Sequence, residues 1–197
     1  MMQFNTEEIN HLIRHRRAIY PEMYTGEVIN RKIIEQLLEN ANWAPNHKHT
    51  EPWRFMVFSG KGLRKLAEFQ SELYRKTSQA EYRFSEIAYE KLQKRPLLCS
   101  HIIAIGMKRH ADKLPEMEEI AATASAVQNM WLTATAYGLG CYWGTGGPTY
   151  IEEAKSFFGL GPEDKLMGFF YLGVPQKWPE GRRQPVQDKV NWVEEDA

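Results

Sequence analysis

Apolar positions recur every three or four residues in some stretches of this chain and crowd into short runs or alternate in others. Ile9, Leu12 and Ile13 predict a helix over 5–16. Asn5 or Thr6 can cap it, and Glu7 and Glu8 fall in the first turn, where the helix dipole favours acids. Ile33, Ile34, Leu37, Leu38 and Ala41 predict a second helix from an Asn30 cap to about Asn42, before Pro45. A polar loop between prolines leads to a strand at Trp53 to Phe58. Residues 62–94 are charged and helical, enough for two helices, and Pro96 ends them. An isoleucine-rich buried strand follows at Ser100 to Met107, then the longest helical run, Pro115 to Tyr137. Gly138 closes that run as a C-terminal glycine should. Cys141 to Thr145 reads as a short strand or extended turn, 149–158 as a short helix ended by Gly159, and Lys165 to Gly173 as a strong strand.

The order of helices and strands is irregular, with no β-α-β-α alternation, which favours an α+β fold over a doubly wound sheet. No repeat, low-complexity tract or linker divides the chain, so 1–197 is expected to be one domain with a C-terminal tail at 175–197. Prolines push that tail toward an extended form, yet Val190, Trp192 and Val193 near its end need burial. The tail either packs on its own domain or lies across a neighbouring subunit, and the pattern leaves both open.

Composition narrows the classes. The chain is long enough for one full core and short for two. Lys+Arg and Asp+Glu are both 25, so no surplus of cations supports a nucleic-acid track. No apolar run reaches the roughly 20 residues of a membrane span. The polar, acidic start is unlike an export signal, which makes the cytoplasm the expected home, with Cys99 and Cys141 reduced. Two cysteines cannot make a zinc site of about four ligands, and the pair His11 and His15 lacks the metalloprotease glutamate, so no metal is expected.

Three segments carry candidate chemistry. Arg14 to Arg17 can clamp a phosphate with charge-assisted bonds worth roughly 1.5–3 kcal/mol each, or simply complement a helix C-terminus for about 0.3–1 kcal/mol. Gly181-Arg182-Arg183-Gln184-Pro185 is a second basic cluster, read either as a solvated run or as a partner of the first on one phosphate. The glycine-rich segment from Gly138 to Gly147 is neither a dinucleotide fingerprint nor a P-loop; it is a glycine-rich turn or a place where backbone N–H groups approach a flat ligand. There is no nucleophile elbow, Cys141 reads as a buried inert thiol, and the acid pairs on helices read as solvated faces. No catalytic side chain stands out. Arginines, glycines and flat aromatics suit a protein whose cofactor carries the chemistry.

These residues, taken in order, resemble the nitroreductase family and most of all its small single-domain bacterial branch. The resemblance rests on His15-Arg16-Arg17-Ala18, Trp43-Ala44-Pro45-Asn46-His47-Lys48 followed by Glu51-Pro52-Trp53-Arg54-Phe55, and Gly138-x-Gly140 leading to Trp143-x-Thr145-Gly146. It extends to Gly168-Phe169-x-Tyr171-Leu172-Gly173-x-Pro175 and to Arg183-Gln184-Pro185 with Val190-Asn191-Trp192 in the tail, so it runs from about residue 9 to 193.

The resemblance implies a four- or five-stranded, mostly antiparallel sheet wrapped by helices, and an intertwined homodimer with exchanged C-terminal arms and two FMN sites at the interface. It implies hydride transfer from NADH or NADPH, through flavin N5, to a nitroaromatic, quinone or similar small electron acceptor by a ping-pong cycle. Arg16, Arg17 and Ala18 match the segment at the FMN phosphate and ring edge. Trp43 and His47 match flavin-contacting positions, His47 from the other subunit. Trp143, Gly144 and Thr145 match the segment under the ring, with a backbone N–H near Thr145 or Gly146 facing N5, and Arg183 matches a tail arginine at the phosphate. Thr133 to Gly138 matches a nicotinamide-nucleotide segment. Three positions depart from relatives: Ala18 replaces a frequent serine, Trp43 a basic residue and Gly144 an arginine. The rival readings are another flavin reaction on the same scaffold, such as reductive dehalogenation or flavin destruction, a non-catalytic FMN-binding sensor or carrier, and a phosphate-binding module without flavin. Residues 62–94 are the one sizeable candidate for a substrate lid.

Overall fold

A computed structural model describes residues 3–80 and 82–194. In chain order it contains α1 (Thr6–His15), α2 (Arg31–Asn42), β1 (Trp53–Ser59), α3 (Lys61–Ala80), α4 (Glu86–Lys94), β2 (His101–Met107), α5 (Glu116–Ala136), β3 (Gly140–Gly144) and β4 (Lys165–Gly173). The strands form one four-stranded sheet in the order β1-β2-β4-β3, and every pairing is antiparallel. The expected α+β class and mostly antiparallel four- or five-stranded sheet are therefore present, with four strands.

Strand β2 is buried along its whole length because both faces of the sheet are covered. Ile103 and Ile105 join Phe170 and Leu172 under α2 and α5, while Ile102 and Ala104 join Phe169 and Tyr171 against α3 and the segment carrying Phe158. Helices α2 and α5 are tied to each other by polar bonds as well. Asn40 Nδ2 donates to Thr133 Oγ1 at 2.9 Å, and Asn129 Nδ2 donates to the Asn40 carbonyl at 3.1 Å. Where one helix is expected over 149–158, the chain makes two 3-10 turns, Gly147–Tyr150 and Glu152–Phe158. The β-branched Ile151 between them adopts an extended backbone and breaks the helical path.

Helix α1 starts at the Asn5 cap, whose side chain accepts from the Glu7 and Glu8 N–H groups. It buries no residue, and Ile9 and Ile13 on its expected apolar face are exposed in the single chain. Beyond it, Ala18 bridges Cys141 in parallel and the Ile19 N–H donates to the Cys141 carbonyl at 2.8 Å. The segment after α1 thus lies along β3, the outer strand of the sheet.

The tail divides in two. Its first part packs on its own chain: Gln176 N–H donates to the Met23 carbonyl at 2.9 Å, and Trp178 stacks on His15, with ring centroids 4.7 Å apart, while donating to the His15 carbonyl. Its second part is exposed, with Trp192 and Val193 82% and 97% accessible. Among the described residues, no helix is long and apolar enough to cross a membrane.

Candidate functional site

Helix α1 stops because Arg16 leaves the helical conformation, with ψ of 130°. That turn carries Arg16 and Arg17 past the helix end and onto β3. The Arg16 guanidinium lies over the Trp131 ring, 4.4 Å from its centroid, and the Trp131 indole N–H donates to the Arg17 carbonyl at 3.0 Å. Arg17 is spent on backbone carbonyls: its Nε donates to Pro179 at 3.0 Å and its Nη1 to Arg14 at 2.6 Å and Arg16 at 2.9 Å. The Gly181 backbone lies so close to the Arg17 guanidinium that a side chain there would collide with it. Arg17 therefore staples the tail to the end of α1, and this brings in Arg183. Burial first, then the charges of Arg183 and Arg17, hold the Arg16 guanidinium below its ordinary pKa. Among the described residues, no carboxylate forms an ion pair with any of these three arginines.

At the far end of β3 the character changes. Trp143 is half-buried, and its indole N–H donates to the Met167 carbonyl at 3.0 Å, which fixes the ring. Gly144 is buried, and a Cβ on it would lie 2.6 Å from the Tyr142 ring, so this glycine makes room for the chain's own tyrosine. Thr145 and Gly146 are exposed, with open space beside Gly146. A cleft of about 400 Å³ opens here, lined among others by Ile120, Trp143, Thr145, Thr149, Tyr150 and Met167, within the size range of small-ligand sites. Cys141 and Thr145 are about 13 Å apart along an extended strand. One edge of the sheet thus presents a cationic end and a flat, partly apolar end.

Trp43 and His47 lie elsewhere. Trp43 ends α2, is 80% exposed, and donates from its indole to Glu39 Oε1 at 3.1 Å. His47 Nδ1 bonds Glu118 Oε2 at 2.6 Å near the start of α5. Glu118 is thirteen residues from Trp131, or about 20 Å along the helix. It is also about 200° around α5 from Ile120, which lines the cleft. One chain therefore gathers Arg16, Arg17, Ala18, Trp143, Gly144, Thr145, Gly146 and Arg183 along one edge and leaves Trp43 and His47 on the other side of α5. In the Thr133 to Gly138 segment, the Thr133 hydroxyl is already committed to Asn40 and to the Asn129 carbonyl.

Some groups escaped the sequence pattern. Trp131 reads only as part of an apolar run, although it is the platform for Arg16. Glu119 reads as part of a solvated acidic first turn, yet it is fully buried. It accepts from Arg109 Nη1 at 2.5 Å, from the His110 backbone N–H at 3.1 Å and from His110 Nδ1 at 2.7 Å. Burial pushes its pKa up, but the donors on His110 and Arg109 outweigh that effect and hold it below the ordinary carboxylate value. His11 and His15 stack on each other with centroids 5.5 Å apart. Among the described residues, no group of three His, Cys, Asp or Glu side chains is arranged to hold a metal ion.

The profile described as "Nitroreductase family" matches residues 13–174. The chain is 28% identical over 183 residues to YfhC of Bacillus subtilis (strain 168), named as a candidate NAD(P)H nitroreductase, covering 90% of each sequence. Its fold matches a nitroreductase-like family protein from Bacillus cereus at a TM-score of 0.82, with 29% identity over 98% of this chain and 99% of that one. It also matches, in fold alone, the FMN-dependent nitroreductase NfnB from Mycobacterium smegmatis in complex with NADPH, at a TM-score of 0.73, with 16% identity over 96% of this chain and 99% of that one. The profile covers most of the chain, Arg16, Arg17 and Trp143 to Gly146 included, so the chain belongs to the nitroreductase family.

Proposed function

We propose that this chain is an FMN-dependent oxidoreductase that draws electrons from NADH or NADPH and reduces quinones, nitroaromatics or similar electron-poor compounds in a ping-pong cycle. The observation that carries this reading is the meeting of Arg16, Arg17 and Arg183 beside β3 with no ion-paired carboxylate among the described residues. In a chain of zero net charge, such a cluster fits a phosphate group. The cleft at the other end of the same strand fits a flat ring. A bound flavin would supply the hydride chemistry, taking electrons from the nicotinamide and giving them to the acceptor. The residues bind and orient. Arg16 and Arg183 meet the phosphate, Arg17 holds the tail that delivers Arg183, and Ala18 passes beside it without a hydroxyl. Trp143 is a fixed wall under the ring position, with Gly144 behind it, and the exposed backbone at Thr145 and Gly146 offers N–H donors to the ring. No side chain has to act as acid or base.

A homodimer completes the site in this reading. Trp43 and His47 reach a cleft only across an interface, because within one chain α5 stands between them and Thr145. The open apolar residues Ile9, Ile13, Trp192 and Val193 supply the surface for such an interface, with residues 175–197 as the exchanged arm of a single domain. The two thiols are unbridged, which suits the cytoplasm. The names of the similar proteins support the flavin and nicotinamide assignment.

Flavin titration tests the phosphate assignment. Arg16→Ala is expected to weaken FMN binding about 10- to 150-fold, the equivalent of roughly 1.5–3 kcal/mol for a charge-assisted bond. Lys61→Ala, at the start of α3, is expected to stay within about twofold of the unaltered protein. Equal losses in the two variants would overturn the assignment.

A further inference from the structure

The amide of Gln70, in the middle of α3, is 2% exposed, and its Nε2 has no hydrogen-bond acceptor among the described residues. A buried donor without a partner is rare and costly in a folded chain. The amide is not stranded in an arbitrary place. Its Oε1 sits against Gly147, close enough that a Cβ on that residue would be 2.9 Å away. Gly147 has φ of +63°, a conformation that also favours glycine, and Leu92 of α4 closes in from the same direction. Gly147 directly follows Thr145 and Gly146. The next turn is tied back to them, because Thr149 Oγ1 donates to the Gly146 carbonyl at 2.9 Å. Oε1 and Nε2 share one carbon, and a half-turn of the amide about its last side-chain bond exchanges them, so the N–H can be turned onto the same loop.

We propose that Gln70 is a positioning residue for the 145–147 loop, and that its unpaired amide N–H is held for a carbonyl that the loop turns toward it when a flavin ring occupies the cleft. This inference rests on the FMN reading above. Through Gln70, α3 then sets the backbone N–H groups of Thr145 and Gly146 against the ring. The short 3-10 turn at Gly147–Tyr150 ties the Gly146 carbonyl to Thr149, not to Gln70.

Gln70→Leu removes the amide at nearly constant volume. If the side chain were only structural filler, deleting an unpaired buried donor would leave FMN affinity unchanged and would not lower the apo melting temperature. With Gln70 as a positioning residue, the apo melting temperature is expected to be unchanged or higher, while the FMN dissociation constant rises at least fivefold and amide hydrogen exchange at 145–147 loses its slowing on FMN binding. Gln70→Glu, which replaces the donor by an acceptor, is expected to bind no better than Gln70→Leu. FMN affinity within twofold of the unaltered protein in Gln70→Leu would overturn this role and leave the FMN reading standing. Failure of the unaltered protein itself to bind FMN would overturn both.

Discussion

Arg16 lies against α5 and Glu119 belongs to it, and they differ in what balances their charge. Glu119 is enclosed and matched by Arg109 and His110, so it belongs to the stability of the fold. Removing one member of a buried ion pair strands the other, at about 3–5 kcal/mol. Glu119→Ala is therefore expected to lower the unfolding free energy by about 3 kcal/mol at pH 7, because Arg109 and His110 keep some solvent contact. The pH dependence has a definite sign. The folded-state pKa of Glu119 is depressed, so its contribution is fully present above the unfolded carboxylate value of about 4.3 and is lost as pH falls through the lower folded value. Urea unfolding at neutral and acid pH should show the variant losing less stability on acidification than the unaltered protein; parallel losses would contradict this. Arg16 is the reverse case, a charge with aromatic support and no ion-paired carboxylate among the described residues, and its residue type at a helix end is enough to mark it in the sequence. Glu119 was not legible, because an acid in a first turn is ordinarily solvated and only the return of the 108–114 loop encloses it.

Elements with strong local signals were readable from the chain. Residues 165–173 form β4 as expected, since the segment after Lys165 is apolar apart from Gly168 and fits a strand covered on both faces. Helix α2 follows its Asn30 cap and its apolar register. The 149–158 stretch is not one helix because the extended, β-branched Ile151 interrupts it, and a single such residue does not mark a break in an otherwise helical pattern. The tail was undecidable from pattern, and the fold shows why: its first half is held by Arg17, Gln176 and Trp178 on its own chain, while its apolar end finds no cover there. In the proposed dimer that end lies on the second subunit. Deleting residues 186–197 is then expected to weaken self-association and FMN binding together, read by light scattering and flavin titration. A truncated protein that stays dimeric and keeps its flavin would refute the exchanged arm.

At the scale of the whole molecule, the α+β class followed from the irregular order of elements, and the cationic half of the site followed from two arginine clusters. Their convergence did not follow from spacing, because Arg16 and Arg183 are distant in sequence and meet only through the staple formed by Arg17 and Gly181. The position of Trp43 and His47 opposite the cleft is also a property of the folded chain, and it makes assembly part of the functional account. The central claim is that the assembled protein passes electrons from a nicotinamide to an acceptor through bound FMN. An anaerobic absorption titration tests it most directly: the purified protein is loaded with FMN, given NADH or NADPH, and then given a quinone or nitroaromatic. The account predicts that the bound flavin bleaches with at least one donor and recovers its colour when the acceptor is added. Flavin that binds but stays coloured with both donors would contradict the enzyme and favour a carrier or sensor.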